Sequence, residues 1–411
     1  MIRNRIAVVS VLTGLNLLNY LDRALVAAML VSIQRDLKLN DFEGGLLATV
    51  FLLGYFLTAP WFGSLGDRVP RKYLLAIGVV VWSAATVASG LSTNLWTLLL
   101  ARAVVGVGEA SYATLAPTII DDVTPAKSKG KMLAIFYLAL PLGTAMGYAF
   151  GGTIDVHWGW RTAFFLGGGP GLMLAVLCLL LVEPARKLAE KKPKALDSAR
   201  ILSRVPLYRR AVFGYCAHTA AVGAFAHWAP KFLAVHYGIS TSEAGAQFGL
   251  IVVIAGALGT VIGGRLTDRV LSHVPPIPDG AAHDHIANRM AANAQLKICA
   301  VGVTIGFPLA ALAFLMPSTL GFFAFGGLCM IGVFASTSPI NAILLRTSPA
   351  HLRASAMAVA IFAIHLFGDL WSPPLVGLLK DLMPDVIAMM ALPLGFLIAA
   401  MLWWPRRREA T

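Results

Sequence analysis

The chain has 411 residues, of which 58% are hydrophobic and 13% charged, and its mean hydropathy is +0.75. A soluble domain carries about 25% charged residues, and a chain this apolar cannot supply the polar shell that a soluble core needs. Soluble enzyme, nucleic-acid-binding domain, disordered chain and disulfide scaffold all fit poorly; a polytopic membrane protein fits well, with its net charge of +13 to be placed in loops.

With about 20 apolar residues needed per crossing, twelve transmembrane helices are expected. They lie near 6–32, 42–65, 71–91, 95–120, 129–153, 161–182, 208–233, 243–266, 295–316, 319–345, 354–379 and 384–404. Barrel strands are far shorter than these runs, and only helices and closed barrels satisfy their backbone in lipid. Met1–Arg5 looks like a signal n-region. The run after it is too long for an h-region, holds Asp22 and Arg23 and lacks a small-residue cleavage site, so it reads as an uncleaved first helix. The two long connections are 183–207 and 267–294. Twelve crossings put both termini on one side. That side holds 26 of the 33 Lys and Arg, nine of them between Arg186 and Arg210. The other side has Arg35, Lys38, Arg161, Lys231 and Lys380, and only Arg23 and Arg102 are within spans. The positive-inside rule therefore sets both termini in the cytoplasm. The positive charge is then a set of basic loops at an anionic lipid surface, and no nucleic-acid partner is implied. Cys178, Cys216, Cys299 and Cys329 lie in apolar runs, with neither disulfide nor metal spacing. His273, His283 and His285 in the 267–294 loop leave a metal site open as an alternative to a solvated loop, without clear ligand spacing.

An internal repeat organises the spans. Gly63-Ser-Leu-Gly-Asp67-Arg68 ends the second, and Gly264-Arg-Leu-Thr-Asp268-Arg269 ends the eighth, 201 residues later. Thr124-Pro125 echoes Ser348-Pro349, and Gly143 and Gly152 echo Gly368 and Gly377, at offsets of 224 and 225. The larger offset matches an insertion in the 267–294 loop. The expected organisation is an all-α membrane protein of two pseudo-symmetric six-helix bundles, 1–182 and 208–404. A linker at 183–207 joins them and a tail follows at 405–411. Duplicated halves with a site between them are transporter architecture.

Charges inside spans cost about 2.5–3.5 kcal/mol each unless paired or wet, so each needs a reason. Asp22 and Arg23 are adjacent near the middle of the first span, and adjacent helical residues point about 100° apart. Each is free to face a different partner. Arg102 and Glu109, two turns apart, share a face, as do His365 and Asp369, four apart. Asp22, Glu109 and His365, with Asp369 beside the last, are the candidates for carrying a proton. Burial favours a protonated acid and a neighbouring Arg favours the ionised one, so a substrate anion that takes the Arg couples the two. Arg23 and Arg102 suit a phosphate or carboxylate headgroup. The competing reading is a permanent structural ion pair between helices. Tyr20, Tyr55, Tyr137 and Tyr148 could line a cavity or simply pack. Pro230 is expected to break the seventh helix near its outer end, and Trp228 with Lys231 reads either as a substrate contact or as an interface anchor.

The run Gly63 to Lys72, with Asp67, Arg68 and Arg71, resembles the signature loop of the major facilitator superfamily, with Pro70 where that family usually has Gly. Arg102, Gly106, Gly108 and Glu109 resemble a second superfamily motif. Gly143, Gly147, Gly151 and Gly152 are similar to its antiporter motif, with Tyr148 in place of the usual Pro. Within the superfamily the chain is similar to the spinster lipid transporters over nearly its whole length. The match rests on Asn19-Tyr-Leu-Asp22-Arg23, on Arg102 through Tyr112 to Pro117, on Phe136-Tyr137 with Pro141-Leu-Gly143, and on His365-Leu-Phe-Gly368-Asp369 with Ser372-Pro373. The resemblance implies a proton-coupled carrier of lysophospholipids or sphingoid phosphates. Substrate contacts are then expected from Arg23, Arg102, Tyr20, Tyr112, Tyr137 and Trp228. A cytoplasmic gate is expected from Asp67, Arg68 and Arg71, repeated in Asp268 and Arg269. Neither cofactor nor metal is implied, the energy source being a proton gradient across a bacterial inner membrane, and a monomer is expected.

Other classes have less support. No phosphate-binding Gly-x-x-x-x-Gly-Lys-Ser/Thr, His-Glu-x-x-His or Gly-x-Ser-x-Gly occurs, so an ATPase or intramembrane hydrolase lacks its motif. A non-transporting sensor lacks any sizeable soluble domain. Among carriers, one for small organic anions or for drug efflux is the alternative. Phe314, Phe322, Phe323, Phe325 and Phe334 serve equally as a lipid-tail wall or as lipid-facing packing.

Overall fold

The computed structural model describes residues 4–66, 68–125, 128–182, 195–275 and 285–405, and the architecture is all-α. The first half contains α1 (Arg5–Ala28), α2 (Leu30–Leu37), α3 (Asp41–Gly66), α4 (Arg71–Gly90), α5 (Leu95–Val123), α6 (Lys129–Trp158) and α7 (Trp160–Leu180). After the short α8 (Ala195–Leu202) come α9 (Pro206–Tyr237), α10 (Thr241–Leu271), α11 (Ile286–Leu315), α12 (Thr319–Phe334) and α13 (Thr337–Arg346). The last stretch holds α14 (Arg353–Ile364), a π-helical turn (His365–Asp369), α15 (Ser372–Leu382), α16 (Asp385–Met389) and α17 (Ala391–Trp403).

Local chemistry sets the ends. Asn94 caps α5 in a reciprocal box with Thr97. Gly159 between α6 and α7 and Gly238 after α9 adopt φ of 81° and 66°, where a side chain would be strained. Among the described residues ten helical spans are long and apolar enough to cross a membrane, or eleven if the bent pair α1–α2 is one. The remaining expected span, 208–233, lies in α9. That helix is 32 residues long but carries Arg209, Arg210, His218, His227 and Lys231, which lower its hydropathy. The protein is thus a multi-pass membrane protein.

Three local expectations are corrected. The first span bends by 55° at Met29, so its outer turns form the separate α2. Pro230 does not break α9. Proline offers no N–H to the Ala226 carbonyl one turn back, and the Tyr148 hydroxyl donates to that carbonyl instead, at 2.7 Å. The 267–294 connection is shorter than expected, because α10 runs on to Leu271 and α11 starts at Ile286. Residues 276–284, including His283, lie outside the described residues, as do most of the linker (183–194) and residues 406–411 of the tail. No group of metal-binding side chains occurs among the described residues.

The chain resolves into two compact units. The first comprises Met1–Leu188, Ala226–Leu250 and Pro373–Asp381, and the second comprises Ala189–Phe225, Ile251–Ser372 and Leu382–Thr411. Leu12, Leu75, Val79, Trp82, Val105 and Phe136 centre the core of the first. Leu296, Val303, Ile340, Leu344, Phe396 and Trp403 centre that of the second. In the first unit, Gly106 of α5 lies against the Phe51 carbonyl and Tyr55 amide of α3, a spacing that leaves no room for a Cβ. This approach brings the Phe51 and Tyr55 rings to the charged residues of α1 and α5.

Candidate functional site

Four charges meet inside the first unit. Arg23 Nε donates to Glu109 Oε2 at 2.7 Å, and Arg102 Nη1 lies 3.5 Å from Asp22 Oδ2. Helix geometry accounts for both pairs. Asp22 and Arg23 diverge on α1, while Arg102 and Glu109 present one face of α5, two turns apart. Thr86 of α4 adds a hydroxyl that donates to Asp22 Oδ2 at 3.0 Å. Aromatic faces complete the setting. The Arg23 guanidinium lies 4.8 Å from the Tyr20 ring centre, 5.2 Å from that of Phe51 and 5.1 Å from that of Tyr55. The Arg102 guanidinium lies 5.2 Å from the Phe51 ring centre as well, so that ring serves both arginines.

The quartet is balanced in charge and unequal in access. Asp22, Arg102 and Glu109 are buried, whereas the Arg23 side chain is 24% exposed. Each acid uses a single oxygen: Asp22 Oδ1 and Glu109 Oε1 are buried without a hydrogen-bond partner among the described residues. Removing one member of a buried pair costs about 3–5 kcal/mol, because the other charge is left uncompensated. Such an arrangement can hold a proton on an acid when its arginine is drawn away, and can offer that arginine to an anion.

The other expected site residues are spread more widely. Tyr20 borders Arg23, and Tyr137, 51% exposed, packs edge-on to Phe136. Tyr112 does not face the quartet. It is wholly buried, its hydroxyl donates to the Leu12 carbonyl, and its ring packs edge-on to Trp82 at 5.5 Å. Trp228 is wholly buried too, with Nε1 donating to the Pro373 carbonyl at 2.9 Å, so neither an interface anchor nor an open substrate contact describes it. Arg71 ties α4 to α5 through Asp122 (2.7 Å) and Thr118 (3.1 Å). Arg68, Asp268 and Arg269 are exposed, and Asp67 lies outside the described residues. In the second unit, His365 Nδ1 lies 3.0 Å from Asp369 Oδ1. The two share a π-helical turn, in which the Leu370 N–H reaches back five residues to the His365 carbonyl at 3.1 Å. Phe314 and Phe322 are buried against Phe225, at 6.1 and 6.4 Å between ring centres, rather than facing lipid.

Sequence reasoning missed a second polar centre in the first unit, at the end opposite the basic loops. Asp41 opens α3 and accepts from Gln34 (2.8 Å) and Lys231, with Lys380 at 3.8 Å. Asp381 caps the same helix by accepting from the amides of Asp41 (2.8 Å) and Phe42 (2.9 Å). His227 Nε2 lies 3.2 Å from the Gly44 carbonyl. The two lysines flank the Trp228 ring, at 5.5 and 5.0 Å. Asp41 and Glu43 read locally as acids complementing a helix N-terminus. Nothing local in Lys231, Lys380 or Asp381 signals that they converge there.

Comparison with known proteins gives the family. A profile of the Major Facilitator Superfamily matches residues 12–368. Human "Protein spinster homolog 1" is 35% identical over 406 residues, covering 91% of this chain and 72% of its own. "Probable sphingolipid transporter spinster homolog 3" of Arabidopsis thaliana is 30% identical over 424 residues, covering 89% and 78%. The crystal structure of a bacterial homolog of the human lysosomal transporter Spinster, inward-facing and unoccupied, shares the fold. Its TM-score is 0.83 at 23% identity, covering 97% of this chain and 96% of that one. The chain belongs to the major facilitator superfamily and, within it, to the spinster family. It is a transporter and not an enzyme.

Proposed function

We propose that this spinster-family transporter is a secondary carrier for an amphipathic anionic lipid, of the lysophospholipid or sphingoid-phosphate kind, working by alternating access on a proton gradient. The reading places it as a monomer in a bacterial inner membrane with both termini in the cytoplasm. Its relative in Arabidopsis carries a sphingolipid-transporter name, which supports a lipid substrate. The observation that carries the proposal is the quartet, with one arginine partly exposed and three partners sealed.

A phosphate that engages Arg23 competes with Glu109 for the same guanidinium. Glu109 is then a buried, uncompensated carboxylate, and taking up a proton removes that cost. Asp22 stands in the same relation to Arg102, with Thr86 holding its second contact. Substrate and proton thereby favour each other's binding, and linkage makes the coupling reciprocal. Asp67, Arg68 and Arg71, with Asp268 and Arg269, are assigned to the cytoplasmic gate, and His365 with Asp369 to a second proton-handling pair.

The test uses purified protein in proteoliposomes with an imposed pH gradient and labelled lysophospholipid. Gradient-driven movement is expected, and Asp22→Asn is expected to reduce it at least tenfold while leaving the protein folded. Movement equal to that in empty liposomes, from folded and inserted protein, would remove the lysolipid reading. Gradient dependence unchanged in Asp22→Asn would remove Asp22 from the coupling.

A further inference from the structure

Away from the quartet, the first unit contains a pocket of about 460 Å³ whose polar lining includes Ser32, Arg35, Asp155 and Thr241. Asp155 is 8% exposed, and its Oδ2 accepts from the Ser32 hydroxyl at 2.7 Å and the Thr241 hydroxyl at 3.1 Å. Its Oδ1 accepts no hydrogen bond among the described residues and is not sealed from the pocket. Arg35 is exposed, close enough for its charge to act on Asp155, and makes neither ion pair nor side-chain hydrogen bond among the described residues. The neighbouring acid, Asp36, is taken by Arg161 and by Trp160.

Two opposite charges therefore line one pocket without a direct ion pair between them. A simple anion would satisfy Arg35 and be repelled by Asp155, and a simple cation would meet the reverse. A ligand with separated positive and negative groups satisfies both. The other lining residues are Val31, Val156, Ala234, Val235 and Ile239, and Val156 and Val235 are about half exposed, at 52% and 53%, which gives an alkyl chain a path out of the pocket along them. The charge bias of the loops sets this end on the outer face.

We infer that this pocket binds the zwitterionic phospho-amine headgroup of a lysolipid at the outer leaflet, with the ammonium on Asp155 and the phosphate on Arg35. The inference rests on the lysolipid reading for its choice of amphiphile; what it adds is the site.

Equilibrium binding to the full-length protein in nanodiscs tests it, with lysophosphatidylethanolamine and lysophosphatidylglycerol as probes. Asp155→Asn keeps an oxygen for Ser32 and Thr241 while losing the charge. It is expected to weaken the ethanolamine lipid at least tenfold and to leave the glycerol lipid unchanged or more tightly bound. Arg35→Gln, an exposed change that leaves the fold intact, is expected to weaken both at least fivefold. Equal effects of Asp155→Asn on the two lipids, or unchanged binding in Arg35→Gln, would overturn the site. Displacement by an equal concentration of diacyl phosphatidylethanolamine would identify a bilayer lipid as the occupant and overturn the assignment to lysolipid. Charge-selective binding without lysolipid transport in proteoliposomes would uphold this pocket and remove only the carrier reading.

Discussion

Arg23 shows at the scale of one residue how a buried charge becomes useful. Its side chain is the one partly exposed member of the quartet and leans on three aromatic faces while bonding Glu109. Arg23→Gln leaves Glu109 buried and unpaired, so a loss of about 3–5 kcal/mol is expected at a pH where the acid is ionised. Glu109→Gln leaves a cation that can still reach solvent and rest on its rings, so a smaller loss is expected. The double variant Arg23→Gln/Glu109→Gln should unfold at a higher temperature than Arg23→Gln alone. Thermal unfolding of the four proteins in detergent checks this, and additive effects would show that the pair contributes no coupling. The candidate charges were legible in the sequence because charges within spans are rare. Their partners were legible only as faces. Adjacent positions on α1 had to diverge, but which of them met Arg102 depended on how α1 and α5 pack.

At the scale of the element, α9 is informative because a sequence rule misled. Proline normally interrupts a helix by leaving the carbonyl four residues back without its donor. Here the Tyr148 hydroxyl of α6 supplies that donor to Ala226, and the Tyr148 ring packs edge-on to Phe248 at 5.1 Å. Tyr148→Phe should cost about 1–3 kcal/mol, the range for a buried acceptor left unsatisfied. In a Pro230→Ala background the backbone can donate to Ala226 itself, so the same substitution should cost much less. A double-mutant cycle on thermal unfolding measures the difference; an identical cost in both backgrounds would refute the substitution of hydroxyl for amide. The tyrosine could not be assigned beforehand, since a lone Tyr among packing residues gives no sign of which distant carbonyl lacks a donor.

At the scale of the whole molecule, the polar centre around Asp41 joins residues far apart in sequence within one unit. Asp41 and Asp381 balance Lys231 and Lys380, and Asp381 supplies the cap for α3 from 340 positions away. Neutralising Asp41 leaves two lysines with one acid, of which Asp381 is already engaged by backbone amides. Asp41→Asn is expected to loosen this end. A cysteine introduced at the buried Ala229 should then react with a membrane-impermeant maleimide several-fold faster than in the Asp41 parent. Equal labelling rates would show that Asp41 does not hold this end shut. The native cysteines do not interfere, because all four are buried.

The sequence alone determined that this is a polytopic helical membrane protein and which family it resembles, because apolar run length and motif spacing are local properties that survive any packing. It also singled out the membrane-embedded charges, since their cost in lipid demands a function or a partner. Tertiary structure decided who pairs with whom: Asp22 with Arg102, Arg23 with Glu109, Asp41 with two lysines, and Tyr148 with the carbonyl that Pro230 leaves free. It also withdrew Tyr112 and Trp228 from the open site by burying them. These outcomes depend on which helix faces touch, and helix contacts are set by the fit of small residues such as Gly106 across chain segments that no local pattern connects.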